Sequence, residues 1–230
     1  MLEAAVEFVL DILFPKRCVG CHKEGLFLCG QCRGQIQLLP PACFVCRQRS
    51  PDGTVCESCK PQTRIRRFIA PLSFHDQTSR ELIHIYKYQG VKEIAEILGE
   101  YITSAARSYG IFPPDHSILV PIPLSPQRLR ERGFNQAELV ARVIGEKFGL
   151  PVNTGVLRRP LHRKHQTEMP NREERIENAK GVYAPKEKIP PGTVIILVDD
   201  VSTTGATLEE AARVLKAAGA KQVWALTAAR

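Results

Sequence analysis

Hydrophobic positions from residue 63 onward alternate between two patterns. Short apolar runs bounded by proline, glycine or polar residues predict strands at 63–74, 117–122, 194–198 and 222–228. Apolar residues at helical spacing predict helices at 137–148 and 208–218, and two helices within 79–108 separated near Gly90. Strands that alternate with helices in this way predict an α/β fold, in which helices flank a parallel sheet.

The first fourteen residues have apolar side chains at helical spacing, interrupted by three acids. A signal peptide requires a basic start and an uncharged apolar stretch, so the pattern predicts a short amphipathic helix instead. The chain has no run of eighteen apolar residues, so we expect no membrane span. These features together predict a cytoplasmic protein.

All eight cysteines lie within the first sixty residues and form four Cys-x-x-Cys pairs. Each pair presents two thiolates from one tight turn, and a structural zinc ion needs four, so the sequence predicts two zinc sites. Disulfides are the competing interpretation, which the predicted cytoplasmic location disfavours. Sequential pairing and a cross-braced arrangement are both compatible with the spacing. Sequential pairing would give one site with Cys18, Cys21, Cys29 and Cys32 and a second with Cys43, Cys46, Cys56 and Cys59.

The composition changes after Lys60-Pro61, which predicts a domain boundary there. Residues 1–61 would form the N-terminal helix and zinc-binding module, and residues 62–230 the α/β domain. A segment as short as the module buries little apolar surface, so we expect bound metal to supply most of its folding free energy.

The predicted strand 194–198 ends in two carboxylates, Asp199 and Asp200. A turn rich in hydroxyl groups follows and leads into the helix 208–218. It consists of Ser202, Thr203, Thr204, Gly205, Ala206 and Thr207. Backbone N–H groups at the start of a helix bind anions, and ligands of open α/β sheets bind at the carboxyl ends of the strands. Carboxylates repel phosphate but accept hydrogen bonds from sugar hydroxyls, so this segment predicts a site for a phosphorylated sugar. The alternatives are an ordinary strand-to-helix turn and a phosphate-accepting aspartate pair.

The formal net charge is +8, which suggests anionic partners such as phosphates, nucleotides or nucleic acid. Arg128, Arg130 and Arg132 directly follow a predicted strand end, where they would meet a diphosphate; a solvated basic face is the alternative. Arg163 and Lys164 lie in a polar segment that we expect to close over the same ligand, as lids do.

The segment around Asp199 and Asp200 closely resembles the signature of type I phosphoribosyltransferases. This resemblance implies that the two acids bind the ribose hydroxyls of phosphoribosyl pyrophosphate (PRPP), and that residues 202–207 bind its 5′-phosphate. It also implies Mg²⁺ as a cofactor together with PRPP, and structural Zn²⁺ remains the second predicted metal.

Other segments resemble the ComF competence-protein family. Residues 120–136, with their Arg-Gly-Phe-Asn-Gln sequence, are similar to its pyrophosphate loop, and residues 158–183 to its flexible loop. Residues 82–90 and the cysteine-rich N-terminus resemble the same family. The candidates that the resemblance implies for pyrophosphate or the flexible loop are Lys87, Arg128, Arg132, Asn135, Arg163 and Gln166. The implied fold is a type I phosphoribosyltransferase-like parallel sheet with a double zinc-ribbon-like module, a hood-like part at 62–110 and a core at 111–230.

Two hypotheses about function follow. The ComF resemblance implies a PRPP-binding protein of DNA uptake and natural transformation, with single-stranded DNA and a helicase or recombination mediator as partners. The alternative is an active phosphoribosyltransferase of nucleotide salvage or biosynthesis, which transfers the phosphoribosyl group to a base and releases pyrophosphate. The sequence shows no base-reading site and identifies no catalytic residue. Phe27 and Phe44 would either stack on bases or pack inside the zinc module.

Overall fold

The computed structural model describes residues 15–160 and 179–230. The helix predicted at 1–14 and the candidates Arg163 and Gln166 lie outside the described residues. The helices are α1 (Gly30–Gln35), α2 (Gln77–Tyr88), α3 (Ile94–Ser108), α4 (Pro126–Arg132), α5 (Gln136–Phe148) and α6 (Ala206–Ala217), with a 3₁₀ helix at Glu57–Gln62. The strands are β1 (Ile65–Ile69), β2 (Ser117–Pro121), β3 (Leu157–Arg158), β4 (Ala184–Pro185), β5 (Val194–Val201) and β6 (Gln222–Ala229).

Four of these strands form a parallel sheet in the order β1-β6-β5-β2. The register places Ile195 of β5 beside Ile118 of β2 and Val223 of β6. The parallel sheet with flanking helices confirms the predicted fold class. Strands β3 and β4 form a separate antiparallel pair.

Two strand predictions differ from the structure in extent. The strand predicted at 63–74 is regular only over β1, because the chain leaves the ladder after Ile69 and pairs again at Leu72, opposite Ala229. The strand predicted at 194–198 continues to Val201, so the two aspartates are part of β5. β1 lies inside the segment predicted to be hood-like, yet it belongs to the same sheet as the strands of 111–230.

The helices begin and end at residues that the sequence marks. Asp76 accepts a hydrogen bond from the Ser79 backbone N–H at the start of α2, and Gly90 has a φ of 72° between α2 and α3. Helix α4 was not predicted, because one proline and several charged residues obscure the apolar pattern of a helix in so short a segment. Ser125 caps it and Pro126 occupies its first turn, where a missing N–H is tolerated.

Two hydrophobic cores lie on opposite faces of the sheet, and each includes one cysteine cluster. Helices α2, α3 and α5 cover the face that presents Ile196 and Val198, and Cys18 and Cys32 pack into that core. Helix α6 covers the other face, where Phe44 belongs to the core. The cysteine-rich segment therefore spans the sheet.

Neighbouring segments cover both edges of the sheet. On the β1 edge, the Phe68 N–H donates to the Gly53 carbonyl at 2.9 Å, and the Val55 N–H donates to the Arg66 carbonyl at 3.0 Å. On the β2 edge, the backbone of Leu119 bonds to that of residues 151 and 153. Unpaired edges promote pairing with other chains, so this cover matters for solubility.

Within the two described stretches, no helix is both long enough and apolar enough to cross a membrane.

Candidate functional site

The structure groups the cysteines sequentially and so decides between the two pairings. Cys18, Cys21, Cys29 and Cys32 form one cluster and Cys43, Cys46, Cys56 and Cys59 the other, with the sulfur atoms of each cluster within 4.8 Å of one another. The cross-braced alternative is wrong. All eight are free cysteines, without disulfides.

The sulfur positions fit tetrahedral zinc. The Sγ atoms of Cys21 and Cys29 are 3.7 Å apart, and Cys56 Sγ lies 3.7 Å from both Cys46 Sγ and Cys43 Sγ. A tetrahedron with zinc–sulfur bonds of about 2.3 Å has edges of about 3.8 Å. Burial raises the pKa of Cys18, but hydrogen bonds from the backbone of Cys29, Cys21 and Gly20 outweigh it and lower that pKa to about 6. Thiolate formation of this kind favours metal binding.

The two clusters are copies of one backbone motif. The Cys18 N–H donates to the Lys23 carbonyl and the His22 N–H to the Cys18 carbonyl. Cys43, Arg47 and Gln48 repeat both bonds in the second cluster. His22 and Arg47, at the equivalent position, are the non-glycine residues that adopt positive φ among those described. Hence Val19 and Phe44 occupy equivalent places next to the first cysteine of each cluster.

The aspartate pair lies at the carboxyl end of β5, and its two side chains belong to opposite faces of the sheet. Alternation along the strand places Asp199 on the face of Leu197, beneath α6, and Asp200 on the face of Val198. Burial and the charge of Asp200 raise the pKa of Asp199 to about 7, against the opposing charges of Lys87 and Arg132. Asp199 therefore titrates near neutral pH.

Lys87 reaches Asp200 from the last turn of α2, with its Nζ 2.9 Å from Oδ1. The preceding residue, Tyr86, is buried and donates its hydroxyl to the Gln136 carbonyl at 2.7 Å. Burial raises the pKa of Tyr86, and the charge of Asp200 adds to this effect. The structure thus brings the predicted Lys87 to the acid pair.

Residues 202–207, which we call the phosphate loop, connect β5 to α6. Gly205 has a φ of 79° and occupies the N-cap position. In the described chain, the backbone N–H groups of Thr203, Thr204 and Gly205 donate to no acceptor, and the buried Ser202 hydroxyl has no partner. The loop therefore presents free donors at the positive end of a helix, where an anion binds.

The predicted basic residues lie on α4 and near the acid pair. The Arg132 guanidinium donates to Gln136 Oε1 at 3.0 Å, and its charge lowers the pKa of Asp199. The charge of Arg128 is felt by Tyr183 on the α6 side. Helix α4 buries none of its residues, so its arginines are open to a ligand.

Asn135 has a different situation from the arginines. Its Nδ2 donates to the Ile122 carbonyl at 3.1 Å, and its Oδ1 accepts from the Ala137 N–H at the start of α5. Both ends of the side chain are engaged, so Asn135 fastens the segment after β2 to α5.

Sequence reasoning missed Gln136 and Tyr183. Gln136 is buried, and its Nε2 has no partner among the described residues although its Oε1 accepts from Arg132. Tyr183 lies beneath α6: burial raises its pKa, the charge of Arg159 opposes this, and that of Asp199 adds to it. The Asn-Gln end of the Arg-Gly-Phe-Asn-Gln segment was the only sequence signal for Gln136, and nothing in the sequence marked Tyr183.

Comparison with known proteins identifies the family to which this chain belongs. Residues 130–230 match the phosphoribosyl transferase domain family. The chain is 31% identical to competence protein ComFC of Bacillus subtilis over 196 residues, which cover 82% of this chain and 77% of the relative. The chain belongs to the ComF family.

Further ComF relatives match over nearly the full length. Competence protein F of Haemophilus influenzae is 29% identical over 222 residues, 92% of this chain and 90% of the relative. DNA utilization protein YhgH of Salmonella typhimurium is 29% identical over 217 residues, 91% of this chain and 87% of the relative. The family resemblance seen in the sequence is thereby confirmed.

Proposed function

We propose that this ComF protein binds PRPP with Mg²⁺ at the carboxyl end of β5 and acts in DNA uptake or processing. The observation that carries the PRPP proposal is the acid pair beside the phosphate loop, in which the N–H groups of Thr203, Thr204 and Gly205 have no acceptor among the described residues. The names of the relatives, competence proteins and DNA utilization proteins, support the DNA part.

Each part of PRPP has a complementary group. The 5′-phosphate fits the N-terminus of α6, where the N–H groups of Thr203, Thr204 and Gly205 converge with the helix dipole. The ribose hydroxyls fit the carboxylates of Asp199 and Asp200, which accept hydrogen bonds. This assignment also explains why acids adjoin a phosphate site, since they face the sugar.

The pyrophosphate end fits the cationic side of the site. Lys87 and Arg132 supply positive charge at the acid pair, and Arg128 supplies it at Tyr183, which the charge of Asp199 also reaches. Mg²⁺ would supply further charge neutralisation for the pyrophosphate oxygens, as it does for nucleotide phosphates. When pyrophosphate binds, we expect Lys87 to divide its hydrogen bonds between Asp200 and the ligand.

The DNA role has its own structural support. A groove of about 260 Å³ lies at the opposite end of the sheet, where β1 and β6 begin. Its basic lining residues are Lys60, Arg64, Arg66, Lys216 and Lys221, and none of the described residues that line it is acidic. Lys60 pairs with Glu57 and Lys216 bonds to two carbonyls, which leaves Arg64, Arg66 and Lys221 as exposed cations. Such a groove suits a nucleic-acid backbone.

Calorimetry with PRPP and Mg²⁺ tests the ligand proposal. The wild type should bind, and the double variant Asp199→Asn/Asp200→Asn should lose binding with its thermal midpoint preserved. Asp115→Asn is the matched control, because Asp115 is an exposed acid at the other end of the sheet. Equal PRPP affinity in the wild type and the double variant would remove the proposal.

A further inference from the structure

The second cysteine cluster touches the phosphate loop through one aromatic ring. A Cβ atom added to Gly205 would lie 2.6 Å from Cζ of Phe44, so the ring packs directly against the backbone of Gly205. Phe44 follows Cys43, the first ligand of the second cluster. A zinc ligand and the loop are thus separated by one side chain.

Several contacts hold the Phe44 ring in place. It packs edge-on against Phe68 of β1, with the ring centroids 5.2 Å apart, and the Arg47 guanidinium lies 5.4 Å from its centroid. Phe44 is 7% exposed, so it is buried and not available for base stacking, and it packs against the sheet and the loop as well as the zinc module. Beyond this ring, the loop borders a cavity of about 560 Å³, so among the described residues Phe44 is a main support of the loop on that side.

A second link joins the same segment to α6. Glu209, in the first turn of α6, accepts hydrogen bonds from the Thr63 hydroxyl and from the Arg64 N–H at 2.8 Å. Thr63 directly follows the 3₁₀ helix that contains Cys59. The second cluster therefore contacts both the loop and the first turn of the helix behind it.

We infer that Phe44 is a positioning residue for the phosphate loop, so that the second four-cysteine site governs anion affinity there. This inference rests on the proposed PRPP site. The free N–H groups of the loop can bind one anion together only while Gly205 keeps its left-handed conformation. The Phe44 ring maintains this conformation because it fills the space that the loop would otherwise enter. The first cluster has no such role: the equivalent Val19 packs into the core on the opposite face of the sheet.

The test compares Phe44→Ala and Phe44→Leu with the matched control Val19→Ala. Each full-length protein is analysed for zinc content, thermal midpoint, PRPP affinity with Mg²⁺, and the amide NMR signals of Thr203, Thr204 and Gly205. We expect Phe44→Ala to retain both zinc ions, to shift the loop amides, and to weaken PRPP binding by about tenfold or more. Phe44→Leu should weaken PRPP binding less than Phe44→Ala does, and the PRPP affinity of Val19→Ala should stay within about twofold of that of the wild type.

A metal variant tests the link to the cluster. Cys46→Ser removes an exposed ligand of the second cluster; it should lose one zinc ion, shift the loop amides and weaken PRPP binding at least as much as Phe44→Ala. If a folded Phe44→Ala protein has the loop amide signals and the PRPP affinity of the wild type, the inference is wrong. If the alanine variant does not fold, the same two measurements on Phe44→Leu decide the question. A wild type that binds no PRPP refutes the proposed function instead, while the loop amides still test the coupling.

Discussion

Lys87 and Asp200 form an ion pair at the mouth of the candidate ligand site, with 2.9 Å between Nζ and Oδ1. The side chains are 19% and 11% exposed, so water screens the pair only in part. The same lysine also acts on the neighbouring acid, because its charge lowers the pKa of Asp199 while burial and Asp200 raise it. The charge of Lys87 therefore favours the ionised form of Asp199 near neutral pH.

The affinity for PRPP should rise with pH through about 7, where Asp199 titrates. The reason is that only the ionised carboxylate is a full acceptor for the ribose hydroxyls, and the raised pKa leaves Asp199 largely protonated below this value. Calorimetry at several pH values around 7 measures how steeply the PRPP affinity changes with pH. The second ionisation of a phosphate, near about pH 6, overlaps with it. Asp199→Asn isolates the contribution of the acid, and equal slopes in both proteins would contradict the prediction.

Replacement of Lys87 by methionine should weaken PRPP binding and move the pH midpoint upward. Loss of the positive charge removes one of the effects that lower the pKa of Asp199, so that acid ionises at higher pH. The same calorimetric series provides the measurement. Lys188→Met serves as the control, since Lys188 is exposed. A downward shift, or the same shift in both variants, would disagree with this account.

Purified protein should contain two zinc ions per chain, one for each cysteine cluster. Metal removal should lower the thermal midpoint of the whole chain, because Cys18 and Cys32 pack in one core and Cys43 and Cys59 in the other. Elemental analysis and calorimetric melting before and after chelation give both values. A stoichiometry of one or none, or a melting curve that chelation leaves unchanged, would be incompatible.

The double variant Arg64→Glu/Arg66→Glu should weaken binding of single-stranded DNA and flatten its dependence on salt, because phosphate contacts release counterions. Fluorescence anisotropy at several salt concentrations measures both, and PRPP affinity should be unaffected. Arg142→Gln is the control, an exposed arginine on α5. Arg67 is excluded from this test, since it pairs with Asp52 and stacks over Trp224. DNA binding that ignores salt would argue against the groove.

PRPP should be bound but turned over poorly with ordinary nucleobases. The proposed site includes groups for the phosphate and the ribose, whereas it includes no described residue for an acceptor base. Poor positioning of the acceptor forfeits about 7–11 kcal/mol of the rate advantage. Pyrophosphate release with adenine, guanine, hypoxanthine, uracil and orotate is the assay. Turnover near about 10 per second with any of them would identify a salvage enzyme instead.

Local patterns were enough to predict the sheet, most helices and the loop. The apolar run that ends in Asp199 predicts both a strand and a ligand site at its end, because ligands of parallel sheets bind where strands end. The cysteine spacing likewise predicted two sites. These signals are contained in short segments, so they can be interpreted without the tertiary structure.

Long-range contacts were beyond such reasoning. Nothing near Lys87 in the sequence indicates Asp200, and nothing near Phe44 indicates Gly205; both contacts arise from the way the cysteine segment and α2 pack on the sheet. The contacts of Arg67 with Asp52 and Trp224 are likewise not indicated by the sequence around Arg67.

The cover over the edge of β1 depends on metal binding by the second cysteine cluster. The backbone around Gly53 and Val55 that pairs with β1 belongs to the second cysteine cluster. A chain that is synthesised without zinc would leave this strand uncovered, and an uncovered strand recruits the same strand of another chain. Zinc starvation would thus cause newly made protein to self-associate, in addition to weakening the ligand site.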